Sequence, residues 1–200
     1  MVTTRREFLK RSLAVPGAIA LGAAPVAIAQ EGALRPTSAC GAPAPPTVAQ
    51  TEGPYFKPRS PLRTSLLEPG VSGSRIVVSG TVLSTDCRPV PRALLDFWQA
   101  DDGGGYDNVG FRLRGHQFSG DGGEYRLETV VPGLYPGRTR HIHVKVQAPH
   151  QPILTTQLYF PGEQSNASDF IFNPALVVRV DGTGSARVAT FDFVLREGRR

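Results

Sequence analysis

Proline and glycine punctuate this chain so closely that no long helix fits between them. There are 18 prolines and 22 glycines in 200 residues, and each interrupts helical hydrogen bonding or stiffness. Beyond residue 50, no window of ten to twelve residues carries an apolar stripe of helical period. What lies between the breaks is β-rich. The spacing predicts strands over residues 75–84, 93–99, 124–130, 141–148, 154–160, 176–180 and 186–195, with one short helical turn at residues 169–172. Short strands with regular turn signals imply an all-β fold. The expectation is an antiparallel β-sandwich of about seven to nine short strands with long loops, formed by one domain over residues 51–200.

The first 50 residues read differently. Arg5-Arg6 opens a charged stretch through Lys10, a weakly apolar run follows from Leu13 to Ile28, and Ala27 and Ala29 supply small residues for cleavage. Residues 1–29 resemble a twin-arginine signal peptide, which implies export of the folded protein to the periplasm or the extracellular space. The apolar run is too short and too interrupted to be a stable membrane span. Removing residues 1–29 takes away four basic residues and one acidic one, so the net charge falls from +5 to +2. No basic cluster with interleaved aromatics remains, so nucleic acid is not an expected partner. Residues 30–50, rich in Ala, Pro, Thr and Gly, read as a flexible arm. Cys40 and Cys87 are the two cysteines. In an exported chain an even count suggests a disulfide; two free thiols, or one acting as a metal ligand, are the alternatives.

His141-Ile142-His143 carries the first chemical signal. On a strand, alternate residues share a face, so two imidazoles can converge on one metal while Ile142 packs behind them. Imidazole suits zinc, copper, iron or nickel, and the bland alternative is two histidines on a solvated face. Tyr135 lies six residues upstream in a Pro/Gly turn. Tyr106 follows Gly103-Gly104-Gly105, where the backbone can approach a site closely. Two phenolates with two neutral imidazoles favour ferric iron over ferrous iron or zinc. Taken singly, each tyrosine is more often a packing residue.

The ordered set extends over most of the chain. It includes Thr51-Glu52-Gly53-Pro54-Tyr55-Phe56, Asp96-Phe97-Trp98-Gln99, Tyr106, Tyr135, Arg138, His141, His143 and Gln157. Over residues 48–195 it resembles the intradiol ring-cleavage dioxygenases that act on catechol, hydroxyquinol or protocatechuate. The resemblance implies one Fe(III) per chain, held by Tyr106, Tyr135, His141 and His143, with Tyr135 displaced as substrate chelates. Arg138 is implied to stabilise negative charge on the substrate ring, and Gln157 to line the pocket. The implied partners are O₂ and a catechol-type small molecule. Both oxygen atoms enter the ring between the hydroxylated carbons, giving a cis,cis-muconate-type product with no external reductant. The pattern departs from the family in lacking the helical N-terminal region through which catechol and hydroxyquinol enzymes dimerise, so no oligomeric state is implied. The short loop over residues 107–114 leaves the site open. His116 reads as a loop histidine, Arg140 as structural or on the rim, and Arg112, Arg114 and Arg140 as candidate pocket cations.

Two other readings compete. The run from Gly80 to Leu94 also resembles transthyretin-like and carboxypeptidase-regulatory-like sandwiches, which are non-catalytic binding modules. A copper or zinc centre would keep the ligands and change the metal.

Overall fold

Nine strands build two sheets in the computed structural model, which describes Cys40, residues 43–184 and residues 187–196. The twin-arginine segment and most of the arm lie outside the described residues. In chain order the strands are β1 (Arg75–Ser84), β2 (Leu94–Gln99), β3 (Arg114–Phe118), β4 (Glu124–Val130), β5 (His141–Gln147), β6 (Leu154–Tyr159), β7 (Arg179–Asp181), β8 (Val188–Thr190) and β9 (Phe193–Leu195). One sheet runs β4-β1-β8-β7 with β9 also paired to β1; the other runs β3-β2-β5-β6. Among the described residues no helix is long and apolar enough to cross a membrane.

The alternation along β2 and β5 explains the layering. Leu95 and Phe97 on β2 and Ile142, Val144 and Val146 on β5 face the β1 sheet, where Val78, Val82 and Leu127 meet them in one core. Val78, Leu95, Phe97 and Val144 have no solvent exposure. Each such side chain contributes roughly 1.5–3 kcal/mol of burial. The opposite face of the second sheet carries the alternate residues, the histidines among them.

The second sheet is antiparallel throughout. The first departs from the expected all-antiparallel pairing, because β8 and β9 both run parallel to β1. The single strand expected over residues 186–195 is two strands. Between them the chain bends at Phe191 and Asp192, where Asp192 Oδ1 accepts the Thr81 N–H at 2.8 Å. The buried Tyr125 hydroxyl donates to the Phe191 carbonyl at 2.8 Å. The strand expected over 176–180 is displaced to Arg179–Asp181, since a 3-10 turn occupies Pro174–Leu176. A second 3-10 turn spans Gln164–Ala167, just before the turn closed by Phe172 N–H on the Asp169 carbonyl.

The flexible arm expected over residues 30–50 is not free at its described end. The backbone N–H groups of Ala44, Thr47 and Gln50 donate to the carbonyls of Thr85, Val194 and Thr155. Thr156 Oγ1 donates to the Val48 carbonyl at 2.7 Å. Cys40 and Cys87 form a disulfide, so Cys40 is tied covalently to the turn after β1.

Candidate metal centre

Strand register lays a row of functional side chains across the outer face of the second sheet. Trp98 faces Arg114 on one side and His143 on the other, and His143 faces Gln157. In the next row His141 faces Tyr159. Both histidines are buried, at 4% and 3% exposure, although they lie on the face away from the core. What buries them is the loops. Their Nε2 atoms are 3.1 Å apart. The His141 Nδ1–H donates to the Thr139 carbonyl at 2.6 Å, which leaves its Nε2 as a lone-pair donor. The Trp98 indole stacks flat on the His143 ring, with centroids 4.7 Å apart and 6° between planes.

Two loops and a strap bring in the phenols. Tyr106 sits in the loop after β2, with its hydroxyl 3.4 Å from His141 Nε2. Asp101 shapes this loop by accepting the N–H groups of Gly103 and Gly105. Tyr135 lies in the loop before β5, bridged to Arg138, with its ring edge-on to Tyr106 at 6.0 Å. The segment over residues 51–57 roofs both. Tyr55 stacks on Tyr106 at 4.3 Å and shares a 3.0 Å hydrogen bond with the Tyr135 hydroxyl. Phe56 meets Trp98 edge-on at 4.9 Å. Buried Arg114 fastens the roof to the loop by donating to the carbonyls of Tyr55 and Asp107.

A polar network backs the site. Arg138 donates through Nη2 to Gln157 Oε1 at 2.6 Å and through Nε to Asp169 Oδ2 at 2.9 Å. Gln157 Nε2 donates in turn to the Thr51 carbonyl at 2.9 Å. The Tyr159 hydroxyl has its single proton within reach of Gln50 Oε1, Gln157 Oε1 and the Ile171 carbonyl, at 3.1–3.2 Å. Burial pushes the Asp169 carboxyl up, but the N–H donors of Thr139, Ile171 and Arg138 outweigh it and leave it below its ordinary value.

The electrostatics suit a cation. Burial holds His141 down to about 4 and His143 well below its ordinary value, so both imidazoles are neutral at physiological pH. Burial raises the Tyr106 phenol well above its ordinary value, so alone it keeps its proton. Only a strongly positive partner makes a desolvated phenolate favourable there. Two nitrogen donors each about 2.1 Å from one cation and roughly at right angles would lie about 3.0 Å apart, close to the 3.1 Å observed. Among the described residues no group of three or more His, Cys, Asp and Glu side chains is gathered for a metal. The hard oxygen donors beside the two imidazoles are the phenols, and a set of imidazoles and anionic phenolates fits ferric iron.

The four expected ligands thus come together, and Arg138 and Gln157 bond directly behind them. Of the candidate pocket cations, Arg140 pairs with Glu163 at 3.0 Å and donates to the Pro132 carbonyl, Arg114 lies beside Trp98 with its donors taken by backbone carbonyls, and Arg112 is exposed. His116, expected in a loop, lies on β3; its Nδ1–H donates to the Ser60 carbonyl at 2.7 Å, one row away from the centre. Sequence reasoning missed Tyr55 as a neighbour of both phenols, Trp98 as the platform for His143, and Asp169 and Thr139 as supports. Trp98 alone carried a usable signal, since it alternates with Phe97 and so faces away from the core.

Comparisons with known proteins bear on the family. The family model described as "Dioxygenase" matches residues 51–197. A hydroxyquinol 1,2-dioxygenase of Nocardioides simplex is 31% identical over 150 residues, covering 63% of this chain and 51% of that protein. A protocatechuate 3,4-dioxygenase beta chain of Burkholderia cepacia is 35% identical over 153 residues, covering 62% and 65%. The chain therefore spans about half the length of the first relative and just under two thirds of the second. Among solved structures, the dioxygenase domain of a dioxygenase carbohydrate-binding protein fusion from Streptomyces sp. SirexAA-E superposes with a TM-score of 0.75. It is 58% identical and covers 77% of this chain and 100% of that one. A hydroxyquinol 1,2-dioxygenase from Pseudomonas putida DLL-E4 gives a TM-score of 0.69 at 26% identity, covering 76% and 67%. With the model matched over nearly the whole sandwich, the chain belongs to the intradiol ring-cleaving dioxygenase family.

Proposed function

We propose that this chain is an iron(III)-dependent intradiol dioxygenase that opens a catechol-type ring between its two hydroxylated carbons. The observation that carries this is the convergence of His141 Nε2, His143 Nε2 and the Tyr106 hydroxyl within 3.1–3.4 Å contacts, with Tyr135 beside them. Tyr106, Tyr135, His141 and His143 would hold one Fe(III). Bound there, the metal would supply a Lewis acid that favours the deprotonated catechol.

The chain's own residues do the rest. The Thr139 carbonyl keeps the proton on His141 Nδ1 and so leaves Nε2 free to ligate. Tyr135 Oη is placed to hold or take a proton, and the Tyr55 hydroxyl 3.0 Å away shares it. Arg138 brings a permanent positive charge, fixed on two sides by Gln157 and Asp169, to face negative charge developing on the substrate ring. Trp98, Tyr55 and Phe56 wall the centre with aromatic surface and exclude water, which strengthens each of these interactions. Both oxygen atoms of O₂ enter the product, a muconate-type dicarboxylate, so no reductant is required. Export by the twin-arginine route to the periplasm or beyond belongs to the same proposal. The Cys40–Cys87 disulfide supports it, because such bonds persist in oxidising compartments.

The test is turnover of catechol, protocatechuate and hydroxyquinol under ¹⁸O₂, with mass analysis of the products. The expected result is two labelled oxygens in a dicarboxylate formed from at least one of them. A single label, cleavage outside the diol, or no turnover of any of the three would refute the proposal.

A further inference from the structure

Asp169 belongs to no strand, yet its side chain has 0% exposure. Three N–H donors surround its carboxylate. Oδ2 accepts from Arg138 Nε at 2.9 Å and from the Thr139 backbone N–H at 2.9 Å. Oδ1 accepts from the Ile171 N–H at 3.1 Å. The first two donors lead straight into the centre. Arg138 is the only one of the three that carries charge. Thr139 is the residue whose carbonyl accepts the His141 Nδ1–H. The 3-10 turn just before Asp169 grips the same residue: Thr139 Oγ1 donates to Asn166 Oδ1 at 2.6 Å, and Ser165 Oγ donates to Thr139 Oγ1 at 2.9 Å.

We propose that Asp169 is a positioning residue for ring cleavage, one carboxylate that sets the Arg138 guanidinium and the His141 imidazole relative to each other. It acts through these two groups and does not itself touch substrate. The chemistry explains the residue type. A carboxylate offers acceptor sites on both oxygens, whereas the amide of an asparagine offers only one oxygen. With that oxygen turned to Arg138 and Thr139, its NH₂ would meet the Ile171 N–H, donor against donor. Turned the other way, its NH₂ would meet the guanidinium. Either way, the guanidinium loses its charged partner and one backbone N–H loses its acceptor. The inference rests on the ring-cleavage reading above.

The test compares wild type, D169N, R138K and the double variant, each as the iron-loaded enzyme, in steady-state turnover of a catechol. R138K keeps a cation without the planar fork, so residual activity stays measurable. D169N is expected to lower kcat by roughly 10- to 100-fold, the range found when a group orienting an active-site residue is removed, with KM changed far less. In the R138K background the same substitution is expected to lower kcat by a clearly smaller factor than in wild type, because its effect through Arg138 is already lost and only the effect through Thr139 and His141 remains. Equal losses in both backgrounds, or wild-type kcat in D169N, would overturn the proposal. Should D169N not accumulate folded, D169E keeps the charge and displaces it by one methylene. A lowered kcat at wild-type thermal stability then supports the role, and wild-type kcat overturns it. Failure of the wild-type chain to turn over any catechol would instead refute the ring-cleavage reading itself.

Discussion

Replacing Gly104 with alanine tests whether the two phenol loops support each other. Gly104 has φ +88°, and a Cβ built there would lie 2.1 Å from the Leu134 carbonyl oxygen. Alanine pays roughly 1–2 kcal/mol for the left-handed backbone alone. A contact of 2.1 Å must also open by about 1 Å before it becomes tolerable, and overpacking of that kind costs typically 1–3 kcal/mol. The sum is roughly 2–5 kcal/mol. The displacement falls on two ligand-bearing loops at once, since Tyr106 is two residues beyond Gly104 and Tyr135 is next to Leu134. Gly137 is the internal control: its φ is +78° and nothing lies within 4 Å of a built Cβ, so G137A isolates the backbone cost at about 1–2 kcal/mol. Urea unfolding of the three proteins, with iron content after dialysis, reads both effects. G104A is expected to be the less stable variant and to retain less iron. Equal stability and equal iron in G104A and G137A would refute the coupling of the two loops.

Other consequences follow from the same contacts. In metal-free protein the unfolded chain takes up a proton at His141 near its ordinary 6.5, while the folded chain does so only near 4. Stability should therefore fall as pH drops from 6.5 to 4, by about 3 kcal/mol from this residue, and level off below; bound iron should keep His141 unprotonated and carry the fall on to lower pH, and urea titrations at several pH values would show both. Replacing Cys40 and Cys87 by serine opens a loop of 47 residues and should cost about 2–4 kcal/mol; in reducing buffer wild type should converge on the variant. Arg114→Met leaves the Tyr55 and Asp107 carbonyls without their buried donor. It should cost about 1–3 kcal/mol, followed by the emission of Trp98, the only tryptophan.

The legible parts of this molecule were those governed by local periodicity. Alternation in residues 141–147 put His141 and His143 on one face before any fold was known, and the long β1 and β4 runs matched residue for residue. Strand β3 was not legible, because Arg114-Gly115-His116-Gln117-Phe118 has no β-branched residue and becomes a strand only by pairing with β2. The bend at Phe191 and Asp192 was hidden for a similar reason: it depends on Thr81 and Tyr125, far away in sequence. The site divides the same way. Spacing brought out the His141–His143 pair, and resemblance to a known family brought out Tyr106, Tyr135, Arg138 and Gln157. Tyr55 and Asp169 reach the centre through hydrogen bonds spanning 80 and 31 residues, which no local pattern encodes.

The visible absorption of the purified protein, loaded with ferric iron and titrated anaerobically with catechol, tests the centre most directly. A phenolate bound to ferric iron absorbs visible light by charge transfer, which copper(I), zinc or an empty binding module would not reproduce. The expected result is a broad visible band that moves to longer wavelength as catechol is added and weakens in Tyr106→Phe. A protein that stays colourless after ferric loading, binds no iron and does not respond to catechol would contradict the assignment of Tyr106, Tyr135, His141 and His143 as an iron site.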